Sequence, residues 1–252
     1  MIGPRQPFYN QAYIDRGRGS VIILLHGLFG NLALWRHVVT ALERTHRVIV
    51  PRLPLYELPE RHTNIEYLAH TLQEFLDWHQ LTGVTLVGHA LGGQLALKHA
   101  YLFPDHVSRV VLSGCTGVLA PEAWQAVVEE DHYAVVHQRL RDVFYDDRRV
   151  TDTLVNQVYD TVHNTTKRLA IRSLTQASDQ NDVGRFLYRI EQEVLLVWGL
   201  QDKVTPPEAA LHFHDSLPNS TLHFIDQCGH LPMVEHAGAF NEHVLAFLNG
   251  EG

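Results

Sequence analysis

Three short stretches of the chain carry residue types that could do chemistry together. The first is Val84-Thr85-Leu86-Val87-Gly88-His89-Ala90-Leu91-Gly92-Gly93. It reads as a buried strand running into a glycine-rich turn and then a helix, Gln94 to Leu102, stopped at Pro104. Glycines two before and two after residue 90 let a tight turn form without side-chain collisions, and such a turn strains its central residue. The side chain of residue 90 then projects above the carboxyl end of the sheet, where ligands of α/β proteins bind. Asp202 lies in Gly199-Leu200-Gln201-Asp202-Lys203-Val204-Thr205-Pro206, just after the apolar run Val194 to Trp198. His230 lies in Gly229-His230-Leu231-Pro232, in the loop after Thr221 to Ile225. An aspartate that fixes a histidine's tautomer makes the imidazole a general base. Singly, Asp202 reads as a turn or cap residue and His230 as a structural one.

Two nucleotide-binding readings of the glycines fail. G-x-G-x-x-G lacks its second glycine at Ala90, and no lysine follows Gly93 as a phosphate loop requires.

The order 90, 202, 230, with all three at strand ends, resembles the α/β-hydrolase fold family. His26-Gly27-Leu28-Phe29-Gly30 resembles that family's HGxxG loop. The G-x-S-x-G elbow is matched except that alanine occupies the serine slot. The resemblance implies a nucleophile position at Ala90, an acid at Asp202 and a base at His230. It implies an oxyanion hole from the backbone N–H groups of Leu28 and Leu91, with Phe29 as the alternative to Leu28. It covers nearly the whole chain, from about Gly19 to the C-terminal helix, and is weakest in the middle.

Alanine has neither a lone pair nor a proton to give. Losing the nucleophile of such a triad removes about a millionfold in turnover. The chain as written is therefore expected to be nearly inactive in acyl transfer. One reading is an enzyme whose serine was replaced by alanine to trap substrate. The intact acid, base and loop favour it. The alternatives are a natural pseudoenzyme or ligand-binding protein, and a cofactor-free His-Asp general-base enzyme, a dioxygenase or lyase. In its serine form the expected activity is a carboxylesterase-like Ser-Asp-His hydrolase on a small, fairly apolar ester or related acyl compound. Phe29, Trp124, Phe144, Tyr145 and Tyr159 are the pocket candidates, taken from aromatics without a basic cluster. Cys115 follows a different strand and cannot stand in for the nucleophile.

The elements that must position these residues alternate. Strands are expected at Val21 to Leu25, Arg47 to Val50, Val84 to Val87, Arg109 to Leu112, Val194 to Trp198 and Thr221 to Ile225. Most are apolar on both faces, as parallel strands covered by helices must be. Ile65, Leu68, Ala69, Leu72, Phe75 and Leu76 form one helical stripe, with Thr63 and Glu66 as a capping box and Gly83 beyond the end. The class is α/β, a mainly parallel sheet flanked by helices. From about Thr116 to Ile190 helical stripes continue without a strand. Residues 116–190 are therefore read as an all-helical lid inserted into a core of residues 1–115 and 191–252.

The 252 residues suit one such domain. The net charge of −8, with no basic run, excludes nucleic acid as a partner. Eighteen scattered histidines without HExxH, and two distant cysteines, point to no metal, no cofactor and no disulfide. Apolar runs are too short to span a bilayer, and Met1 to Pro7 lacks a signal-peptide stretch, so a cytoplasmic protein with a small-molecule substrate is expected. The sequence does not set the oligomeric state.

Overall fold

The computed structural model of the chain describes residues 12–59, 62–118, 132–180 and 183–250. Seven strands form one sheet: β1 (Tyr13–Arg16), β2 (Val21–Leu25), β3 (Arg47–Pro51), β4 (Val84–His89), β5 (Val107–Ser113), β6 (Glu193–Gly199) and β7 (Ser220–Ile225). Their order is β1-β3-β2-β4-β5-β6-β7. Only β1 runs antiparallel to its neighbour. The six strands expected from the sequence are all present, each within a few residues. β1 was not expected. Its residues, Tyr-Ile-Asp-Arg, are mostly exposed, so no buried apolar run marks it.

The helices flank the sheet because successive strand side chains point to opposite faces. Ile23, Leu25, Leu86, Val110, Leu112, Leu196 and Trp198 pack on one side, against α2 (Ile65–Trp78), α3 (Leu91–Leu102) and α7 (Pro207–Ser216). Ile22, Leu24, Val87, Val111, Leu195 and Val197 pack on the other, against α1 (Arg36–Leu42) and α9 (Ala237–Leu248). The short helix α8 (Pro232–Glu235) precedes α9. Between β5 and β6 the described residues form α4 (Tyr133–Val143), α5 (Asp152–His163) and α6 (Thr165–Gln180), with 3-10 turns and no strand. Val136, Leu140, Val155, Val158 and Val162 make a small apolar cluster of their own there. No described helix is long and apolar enough to cross a membrane.

Both ends of α2 differ from the sequence expectation. Asn64, not Thr63, is the N-cap, its Oδ1 accepting from Tyr67 N–H at 2.8 Å. Thr63 instead donates its hydroxyl to Pro59 O at 3.0 Å, and Glu66 reaches Lys98 at 3.2 Å. The C-terminus closes at Gln80, in the left-handed region at φ 53°. Leu81 N–H then reaches Leu76 O and Gln80 N–H reaches Asp77 O, which is a Schellman motif. Gly83 also has positive φ but lies further along the loop.

This arrangement makes a discriminating prediction. Asn64→Ala orphans a helix donor and should cost about 1 kcal/mol in urea unfolding. Glu66→Gln weakens an ion pair whose carboxylate is solvent-exposed, and should cost no more than about 0.5 kcal/mol. The reverse ranking would restore the capping box.

Candidate active site

The turn from β4 into α3 leaves no room for side chains on its glycines. A Cβ on Gly88 would sit 2.4 Å from Gly92 O, and one on Gly92 would sit 2.2 Å from Leu25 O. Ala90 between them adopts φ 51°, ψ −119°. Its backbone is fixed by Ala90 N–H to Ser113 O at 3.1 Å and by three bonds into its carbonyl, from the N–H groups of Gly93, Gln94 and, at 3.5 Å, Thr116. The helix expected from Gln94 begins earlier, at Leu91, directly after the strained residue.

Asp202 and His230 are brought together from the ends of β6 and β7. Asp202 Oδ2 lies 2.8 Å from His230 Nδ1. The carboxylate is 3% exposed and the histidine 5%. Asp202 Oδ1 accepts from Val204 N–H at 2.8 Å and Thr205 N–H at 2.9 Å, and the Thr205 hydroxyl donates to Oδ2 at 2.8 Å. Burial by itself pushes the Asp202 carboxyl up. The facing His230 charge and these hydrogen bonds outweigh that and hold it below the usual carboxylate range. With Nδ1 committed to Asp202, no described residue hydrogen-bonds His230 Nε2.

Residues 90 and 230 line one cavity of about 380 Å³. His89, next in chain to Ala90, packs its ring at a tilt of 60° against His230, with centroids 4.6 Å apart, and donates Nε2–H to His230 O at 2.9 Å. Leu28 and Leu91 also line the cavity, and the structure gives neither backbone N–H a partner among the described residues. Phe29 N–H is engaged differently: it donates to the Tyr56 hydroxyl at 3.1 Å. That contact withdraws Phe29 as the alternative to Leu28. The loop is further locked by His26, whose Nδ1–H donates to Gly27 O at 3.0 Å while Nε2 accepts from Leu53 N–H at 3.3 Å.

The pocket expectation divides. Phe29 and Phe144 line the cavity. Tyr145 and Tyr159 do not: Tyr145 turns to solvent, and Tyr159 packs against Tyr133 and His163. They were chosen as aromatics of the 116–190 segment, and residue type does not say which way each ring turns. Trp124 lies outside the described residues. The sequence reading also missed Arg36, His37 and Arg149, which line the cavity with no Asp or Glu among its lining residues. The two arginines lie more than a hundred residues apart in the chain, so no basic cluster showed. Thr205 was missed as well. Its position three residues after Asp202, the spacing of an Asx-type turn, was the available signal.

Residues 22–243 match the profile of the Alpha/beta hydrolase family. The chain belongs to that family. Among curated relatives, it is 31% identical to 2-hydroxy-6-oxo-2,4-heptadienoate hydrolase of Pseudomonas putida, over 94% of this chain and 92% of the relative. It is 29% identical to 2-hydroxymuconate semialdehyde hydrolase of a Pseudomonas species, over 93% and 88%. Among solved structures, a meta-cleavage product hydrolase from Pseudomonas fluorescens, a serine-to-alanine mutant complexed with acetates, superposes with TM-score 0.84 at 25% identity, covering 95% of this chain and 94% of that one.

The buried histidines set an acid response. Burial lowers both His89 and His99 to about 3, against about 6.5 unfolded. Between those values only the unfolded chain takes up the proton, so stability is full above pH 6.5 and falls as pH drops. The limiting slope is about 1.4 kcal/mol per pH unit for each histidine. Asp202, lowered in the fold, adds loss in the same direction below about pH 4. Urea unfolding from pH 7 to pH 4 should show this slope, and His99→Asn should make it shallower by about one proton. An unchanged slope would mean His99 is protonated in the fold.

Proposed function

We propose that this chain is the scaffold of a Ser-Asp-His hydrolase whose nucleophile position holds alanine, so that it binds substrate but turns it over hardly at all. The observation that carries the reading is the Asp202–His230 pair, bonded at 2.8 Å, beside a cavity whose lining includes the methyl group of Ala90. In the serine form, His230 Nε2 would take the hydroxyl proton and Asp202 would stabilise the imidazolium. The amides of Leu28 and Leu91 would face the oxyanion. The helices of residues 133–180 would act as a lid, since Leu140, Val143, Phe144, Leu154 and Val158 supply cavity wall.

The substrate reading shifts from a purely apolar ester. The cavity wall is mainly apolar, and Arg36 and Arg149 add two guanidiniums with no ion-pair partner among the described residues. An acyl compound with an apolar body and one anionic end fits this lining. Support comes from the relatives, which are named for oxo-dienoates and semialdehydes. Carbon–carbon cleavage beside a ketone and ester hydrolysis share the same electrophile and the same oxyanion.

The test is Ala90→Ser, assayed on short p-nitrophenyl esters and on 6-oxo-dienoates. Turnover should rise from background to a measurable rate. Adding His230→Asn should remove it again, by about four orders of magnitude or more. A serine form as inert as the alanine form, with ligand still raising the Tm of both, would favour a binding protein.

A further inference from the structure

The loop that carries His230 is held from outside the sheet. His230 N–H donates to Val143 O at 2.8 Å. Gly229 N–H donates to Glu235 Oε1 at 3.0 Å, and Tyr145 N–H donates to Glu235 Oε2 at 2.8 Å. One buried carboxylate thus accepts from two separate main-chain segments. One segment holds the imidazole. The other, residues 143–145, leaves α4 and presents Phe144 to the cavity. The two lie in direct contact: a Cβ on Gly229 would be 2.6 Å from Val143 O and 2.8 Å from Tyr145 N. No cation stands within ion-pair distance of the Glu235 carboxylate among the described residues. The nearby Arg149 donates to the Glu235 main-chain carbonyl instead, at 3.2 Å.

From this geometry we infer that Glu235 is a positioning residue. Its carboxylate registers the cavity wall at Phe144 against the loop of His230, so that wall and imidazole move as one unit. Both oxygens are needed, because both incoming groups are donors. A carboxamide offers one acceptor and turns an N–H toward the other donor. An aspartate keeps the charge but is one methylene short of the reach. The inference rests on His230 being the base, and its test has an arm that does not.

In the chain as written, hydrogen exchange should show the Tyr145, Gly229 and His230 amides opening together, with one protection factor. Independent opening overturns the inference without any variant. In Glu235→Gln, imidazole ¹⁵N and ¹H spectra should show the His230 Nδ1 proton broadened or doubled, with far-ultraviolet circular dichroism unchanged. A sharp, unshifted His230 signal in a folded but less stable variant would reduce Glu235 to a purely structural role. Where Glu235→Gln does not fold, Tyr145→Pro removes only the donor on the wall side. Phe144, at φ −109° and ψ 146°, already has the extended backbone that a following proline requires. In the Ala90→Ser background, Glu235→Gln should lower kcat roughly ten- to a hundredfold with little change in KM. Glu235→Asp should not rescue it; rescue by Asp would assign charge rather than registry. An inert Ala90→Ser enzyme would defeat the proposed function, while the exchange and imidazole spectra would still decide the role of Glu235.

Discussion

The junction of β4 and α3 constrains every other part of the site. The chain must reverse within van der Waals contact of β2, where the Leu25 carbonyl leaves no room for a Cβ at Gly92. A non-glycine residue at positive φ costs on the order of 1–2 kcal/mol. At Ala90 that cost is offset by four main-chain hydrogen bonds and by the packed strands on either side. The constraint falls on the backbone and on the neighbours, while the side chain of residue 90 faces the cavity. A methyl group and a hydroxymethyl group therefore satisfy the fold almost equally. The architecture is intact with alanine for the same reason that it would be intact with serine.

That separation bears on why the acid and base persist. Asp202 is buried with four hydrogen bonds, one of them from His230. Removing either partner leaves a buried polar group without one of its hydrogen bonds, at about 1–3 kcal/mol. Retention of Asp202 and His230 beside an alanine is thus expected on stability grounds alone. The loop of residues 26–30 is held in a similar way, by the contacts of His26 with Leu53 and of Phe29 with Tyr56. These contacts serve the loop whether or not an oxyanion ever forms.

What was legible in the sequence follows from how local each signal is. Buried parallel strands announce themselves as apolar runs, and glycine spacing around residue 90 encodes a turn that only glycines permit. The chain order of slot, acid and base then follows from the topology. β1 was silent because an exposed edge strand needs no apolar alternation. The cap of α2 moved by one residue because Thr63 and Asn64 are both good caps, and the choice was made by the loop before them. Tyr145 and Tyr159 were misplaced because aromatic type alone does not reveal which neighbour a ring meets. Glu235 gave no local signal at all. Its two partners lie six and ninety residues away.

Charge adds a last constraint on what enters the cavity. The chain carries a formal −8, a field that opposes an approaching anion beyond the screening length of about 8 Å at physiological salt. Inside that distance the local lining governs, and here it holds Arg36, His37 and Arg149 with no acidic residue. An anion is repelled weakly at long range and attracted at short range, where the low-dielectric apolar wall strengthens each interaction. A neutral ester can only accept hydrogen bonds from these guanidiniums, whereas a carboxylate also gains from their charge, and such charge-assisted bonds are roughly twice as strong.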